Sequence, residues 1–218
     1  MIYITGDCHG NFERFNPNIF PEQNEMTKED YVIICGDFGG VWHREAESKE
    51  ETMVLDWLDS RPFTTLFVCG NHENFDRLYQ YPIENWHGGK VHKIRESVIH
   101  LMRGQVFDID GKKIFSFGGA SSHDIQGGIL EPDDPEFEKS YALLSRGCLP
   151  FRINHWSWWK QELPSDEEME EGRQNLEKHN YEIDFIVTHC CSVSTQALLG
   201  HGLYSRDYLN VYLEERCV

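Results

Sequence analysis

Tyr31-Val32-Ile33-Ile34-Cys35-Gly36-Asp37 is an uninterrupted apolar run that stops at a glycine and an aspartate. A run this short, with no polar residue inside it, reads as a strand buried on both faces, the form strands take in a layered α/β sheet. Three other stretches have the same construction. Ile2-Tyr3-Ile4-Thr5 leads into Gly6-Asp7-Cys8-His9, Leu66-Phe67-Val68-Cys69 into Gly70-Asn71-His72, and Phe185-Ile186-Val187-Thr188 into His189. Each strand hands over to side chains able to ligate a metal, so their C-terminal ends converge at the edge where open α/β sheets hold ligands.

Between the second and third runs, Met53, Val54, Trp57 and Leu58 recur at helical spacing in an otherwise charged segment. That strand–helix–strand order predicts parallel pairing. From Ser97 the texture changes: Val98–Leu101, Val106–Ile109 and Lys112–Phe117 read as short antiparallel strands of a second sheet, with Asp110-Gly111 as a tight hairpin turn. Residues 119–164 are rich in Gly, Pro and Trp with weak periodicity, the texture of a substrate loop or lid. Helical spacing returns at Met169–Leu176 and at Tyr208, Leu209, Tyr212 and Leu213, and the acidic run Pro164–Glu171 reads as a solvated helix start. At 218 residues with 39% hydrophobic and 13% aromatic content, the expectation is a single domain over residues 1–218.

The net charge of −17, from 37 acidic and 20 basic residues, repels polyanions, so a long nucleic acid is disfavoured as a partner and a phosphate ligand needs local cations. The cysteines, Cys8, Cys35, Cys69, Cys148, Cys190, Cys191 and Cys217, lack the paired spacing of a disulfide or zinc scaffold. Strand-like sequence begins at Ile2, and no apolar run approaches membrane-spanning length. The expectation is a cytoplasmic protein with no membrane partner.

Asp7 and His9, two residues apart in a strand-end turn, can address one ion from a single segment. Asp37, between Gly36 and Gly39, can bridge two ions, and the Asn71 carbonyl oxygen and the His189 imidazole suit a mixed N/O site. Four strand ends that each carry Asp, Asn or His point to a metal site.

Asp7-Cys8-His9, Gly36-Asp37-Phe38-Gly39-Gly40, Gly70-Asn71-His72-Glu73 and Thr188-His189 reproduce four successive blocks of one signature. In these the chain resembles the calcineurin-like metallophosphoesterase superfamily. Gly118–Asp124 and Trp158–Glu162 are similar to the middle region of its bacterial and phage-type branch. The resemblance implies an α/β fold, a layered α/β/β/α sandwich of two mixed sheets. It also implies two divalent transition metals drawn from Mn, Fe, Ni and Zn. Carried over by residue, Asp7 and His9 hold the first metal, Asp37 bridges, and Asn71 with His189 holds the second. His72 is no ligand in this scheme; it faces the leaving group as the catalytic residue. A metal-bridging hydroxide would then attack a phosphate mono- or diester of a small substrate.

The superfamily's last block, Gly-His-x-His, has no match. Gly200-His201-Gly202-Leu203 lacks the second histidine and reads as a chance likeness. The expectation is that each metal lacks one imidazole, that C-terminal strands are missing, and that an open sheet edge invites oligomerisation. A catalytically impaired binding or regulatory module with an incomplete metal site is therefore the alternative function. Among residues of the 123–159 segment, His123 and Arg152 are the substrate candidates, Arg152 for its planar fork of donors. The tryptophans there read as loop packing, and the cysteines beside the ligands as small buried residues.

Overall fold

In a computed structural model of the chain, which describes residues 1–200, 202 and 206–217, the four runs are strands. They are β1 (Ile2–Thr5), β2 (Tyr31–Cys35), β3 (Thr64–Val68) and β11 (Phe185–Thr188). Strands β1, β2 and β3 pair in parallel, with α1 (Lys49–Asp59) crossing between β2 and β3. Helix α1 starts at a capping box in which Ser48 and Glu51 satisfy each other's backbone N–H. A four-residue helix, α2 (Phe75–Leu78), follows β3.

Next come β4 (Ile83–Trp86), β5 (Gly89–Arg95), β6 (Val98–Leu101), β7 (Gln105–Ile109) and β8 (Lys112–Phe117). Among the described residues the first sheet has the order β1-β2-β3-β6-β5-β4 and the second β11-β8-β7. Asp110 and Gly111 both take left-handed backbone and close the β7–β8 hairpin. The expectation for Val98–Leu101 was wrong in its sheet: β6 lies in the first, parallel to β3 and antiparallel to β5. All four of its residues are buried, as an interior strand requires. The fourth run, β11, belongs to the second sheet and runs parallel to β8.

The strands divide their side chains by the two-residue period. On one face of the first sheet, Val32, Ile34 and Phe67 pack with Leu55 and Leu58 of α1. On the other, Tyr31, Ile33, Leu66 and Val68 meet Phe107, Ile109, Ile114 and Val187 of the second sheet. The outer face of the second sheet turns Val106, Phe115 and Phe117 toward α4 (Asp166–Lys178) and α6 (Tyr208–Cys217). The layers are thus α/β/β/α, and full burial of each such aliphatic side chain is worth about 2 kcal/mol. The acidic run is the start of α4, capped by Ser165 and Glu168. Along β11, Phe185 and Ile186 remain 49% and 41% exposed.

The 119–164 segment carries β9 (Ile129–Leu130) paired with β10 (Arg152–Ile153), and α3 (Phe137–Leu144). Phe137 contacts Tyr141 and Trp156, and Tyr141 contacts Phe151, a small aromatic core of the segment's own. Arg103, buried between β6 and β7, clips both ends of this segment. Its Nε donates to the Gly118 carbonyl at 2.8 Å and its Nη2 to the Gln161 and Glu162 carbonyls at 2.7 and 3.1 Å.

Candidate metal centre

Asp37 joins the strand-end loops. It follows β2 in left-handed backbone (φ 48°) and is 3% exposed. Its main-chain carbonyl accepts the N–H groups of Cys8 and His9 at 3.1 and 2.7 Å, and its Oδ1 accepts the His72 N–H at 2.8 Å. The loops after β1, β2 and β3 are therefore fixed to one another through this residue. Arg14 braces the first loop by donating to the Thr5 hydroxyl and to the Gly6 and Asp7 carbonyls.

Around Asp37 the candidate ligand atoms crowd without hydrogen bonding to one another. His9 Nε2 lies 3.5 Å from Asp37 Oδ2 and 3.7 Å from Asp7 Oδ2. His189 Nε2 lies 3.6 Å from Asp37 Oδ1, and its Nδ1 3.7 Å from Asp7 Oδ1. Asp7, His9 and Asp37 each place one ligand atom within 4.8 Å of the others. Donors bonded to one ion at about 2.1 Å in tetrahedral array sit about 3.4 Å apart. The residues thus fit a divalent metal: the spacing is that of neighbours in a coordination shell, and the N/O donor set suits Mn, Fe or Zn.

His189 comes from the other sheet. Its Nδ1 donates to the Cys35 carbonyl at 2.7 Å, which assigns the tautomer and leaves the Nε2 lone pair facing Asp37. Two glycines make this approach possible. A methyl group on Gly36 would lie 2.3 Å from His189 Nδ1, and one on Gly70 2.0 Å from Asp37 Oδ1. Below the loops, the fully buried Glu73 carboxyl accepts the N–H groups of Phe38 at 2.8 Å and of Gly39 and Gly70 at 3.4 Å. Burial pushes its pKa up to about 8 against the pull of those donors.

Asn71 donates from Nδ2 to the Ser122 hydroxyl at 3.3 Å, and Ser122 in turn donates from N and Oγ to Glu162 at 3.0 and 2.5 Å. Two motifs about forty residues apart, Gly118–Asp124 and Trp158–Glu162, are one structure beside Asn71.

A family model described as calcineurin-like phosphoesterase matches residues 1–209. The chain belongs to the calcineurin-like phosphoesterases. Its general class is therefore phosphoester hydrolysis. Among curated relatives it is 26% identical over 144 residues to Lariat debranching enzyme A of Xenopus laevis, covering 60% of this chain and 26% of that one. It is 25% identical over 155 residues to Lariat debranching enzyme of Danio rerio (64% and 26%) and 24% over 144 to that of Homo sapiens (60% and 25%). The chain spans about a quarter of the length of these relatives. No solved structure matches.

In this phosphoesterase, His72 lies with its ring centroid 5.3 Å from that of His9 and its Nε2 3.4 Å from Arg152 Nη2. Burial lowers the His72 pKa, while Asp37 opposes the shift. Arg152 is paired with Asp124 through both Nε and Nη2. His123 is exposed, and it is its neighbour Asp124 that reaches the site, through Arg152. Gly202 is described, but His201 and Leu203 lie outside the described residues. Cys8 and Cys69 are buried, and burial raises their thiols to about 11 and about 12, the inert state expected of small packing residues. The described cysteine side chains are all unpaired.

A cavity of about 370 Å³ opens from His9 and His72 toward Phe12, Trp42, His43 and Val54. Its Trp42–His43 wall is held by Asn74 Nδ2, which donates to both carbonyls at 3.0 and 2.9 Å, and by Glu51, which accepts the His43 N–H at 2.8 Å. Sequence reading assigned nothing to Trp42, His43, Arg14, Ser122 or Glu162. Only the last two carried a signal, as members of the quoted motifs. No helix among the described residues is long and apolar enough to cross a membrane.

Proposed function

We propose that this phosphoesterase hydrolyses a small phosphate mono- or diester with the help of two divalent transition metals. Asp7 and His9 would hold one, Asn71 and His189 the other, and Asp37 both. Bound there, the cations would supply Lewis acidity and a water of lowered pKa. Arg152, half-buried beside His72, binds a phosphoryl oxygen through its guanidinium after giving up part of its pairing with Asp124. His72 meets the leaving oxygen and stabilises or protonates it. The cavity beyond His72 receives the leaving group. Phe12, Trp42 and Val54 offer it apolar surface, and Glu50 disfavours a second phosphate there. The observation that carries the reading is the set of carboxylate and imidazole atoms at shell spacing around Asp37.

The small-substrate assignment rests on the charge of −17 and on the modest size of the cavity, about 370 Å³. The relatives are named for debranching lariats, so a branched diester is the informative third substrate. A reducing cytoplasmic setting, one domain over residues 1–218 and a substrate-facing 119–164 segment complete the proposal.

Protein reconstituted with Mn²⁺ should hydrolyse an aryl phosphate, a bis-aryl phosphate or both. Asp37→Ala should abolish turnover, and His72→Ala should cut it about 10²- to 10⁴-fold. Absence of turnover with each of Mn, Fe, Ni and Zn would sink the proposal. Metal analysis then addresses the rival module reading: near two metals per chain supports the enzyme, and none after reconstitution supports the module.

A further inference from the structure

We infer that Ser122 and Glu162 are positioning residues that decide which end of the Asn71 amide faces the metal pair. The inference rests on the metal-site reading above and follows from counting hydrogens. Ser122 has one hydroxyl hydrogen, and the 2.5 Å contact with a Glu162 oxygen uses it. The other Glu162 oxygen takes the Ser122 backbone N–H at 3.0 Å, so Ser122 engages both oxygens of the carboxylate. Ser122 Oγ can then only accept from Asn71, and an acceptor must face the amide NH₂ group, as it does at 3.3 Å. The carbonyl oxygen Oδ1, the only end of the amide able to ligate a cation, is turned the other way.

Without this device the amide is symmetric in shape and could present NH₂ to a cation, which would repel it. The relay is itself rigid. Ser122 is 7% and Glu162 2% exposed, and Arg103 holds the Gly118, Gln161 and Glu162 carbonyls that set the two arms at their separation. Its cost is the burial of a carboxylate whose pKa rises with desolvation. The outlay has a use if Asn71 must be held one way round.

The test is a Mn²⁺-binding isotherm, read by electron paramagnetic resonance of the free ion, on the full chain. Ser122→Ala should weaken one of two sites about 10- to 100-fold, the range for removing a partner that orients a ligand. Ser122→Thr, which keeps the hydroxyl, should restore binding to within about three-fold. Asn71→Asp has oxygen at both ends and needs no orientation, so adding Ser122→Ala to it should change affinity less than about two-fold. A purely structural role for Ser122 would weaken binding equally in both backgrounds and would overturn the inference. So would unimpaired binding in Ser122→Ala. If the unaltered chain takes up no Mn²⁺, the metal-site reading falls and the inference with it.

Discussion

Glu73 ends three backbone N–H groups from the loops that follow β2 and β3, and it does so from a fully buried position. An amide in its place would turn NH₂ toward some of those donors. Above its pKa of about 8, where both oxygens accept, Glu73→Gln should therefore cost about 1 to 3 kcal/mol, the penalty of leaving buried donors unmet. At this chain length that lowers the melting temperature by about 2 to 4 °C per kcal/mol. An unchanged melting curve would show that the loops hold themselves. At this scale the sequence revealed residue types but not their jobs. Asp7, His9, Asp37, Asn71 and His189 stood out because a strand end followed by Asp, Asn or His is a local pattern. Glu73, Ser122 and Glu162 act across 35, 51 and 40 residues of chain, and no spacing rule reaches that far. His123, selected as a histidine in that stretch, is exposed, and the role of its neighbour Asp124 in pairing with Arg152 had no signal of its own.

His92 and His100 lie opposite each other on β5 and β6, both 2% exposed, with Nδ1 atoms 3.0 Å apart and rings stacked. Only one facing nitrogen can carry hydrogen, so two imidazolium rings cannot occupy this pair. Burial lowers the His92 pKa to about 4 and that of His100 well below its usual value. The unfolded chain therefore binds protons that the folded one refuses between about pH 6.5 and 4. Stability is fully present above that window and is lost as pH falls through it, by about 3 kcal/mol for His92 alone. Urea midpoints from pH 7.5 to 4.5 should fall in the parent and fall less in His92→Phe. Equal slopes would remove the pair from the acid response. These two strands also show where element reading failed. Strand β4 is mostly exposed and has no apolar run to find. In β5 a register shift between Lys93 and Arg95 breaks the alternation that would have marked it. With β5 unseen, β6 lost its hairpin partner and was grouped forward with β7 and β8. Of the runs covered on both faces, β2 was legible in full and β3 from Leu66 on, its first residues Thr64 and Thr65 not being apolar, and the Asp110-Gly111 turn was legible too.

Across the whole molecule, the layering follows from the strand period, but the meeting of the sheets at the site does not. The sequence ranked the four strand ends as equivalent. In the structure three belong to one sheet and His189 to the other, bonded across to the Cys35 carbonyl. The Arg103 clip has a wider consequence. Gly118 and Gln161 end on the same guanidinium, so the chain between them departs from and returns to one point. Doubling the length of a loop with fixed ends costs only about 0.6 kcal/mol. Replacing residues 125–150 with a short Gly/Ser linker should leave the melting temperature within about 4 °C, while Arg103→Ala should lower it further than that; the reverse order would refute the clip. A frame closed at one arginine lets the stretch proposed to meet the substrate change in length as well as sequence without disturbing the fold beneath it. On the proposed function, a change of substrate could then be confined to one cassette while the rest of the chain stays still.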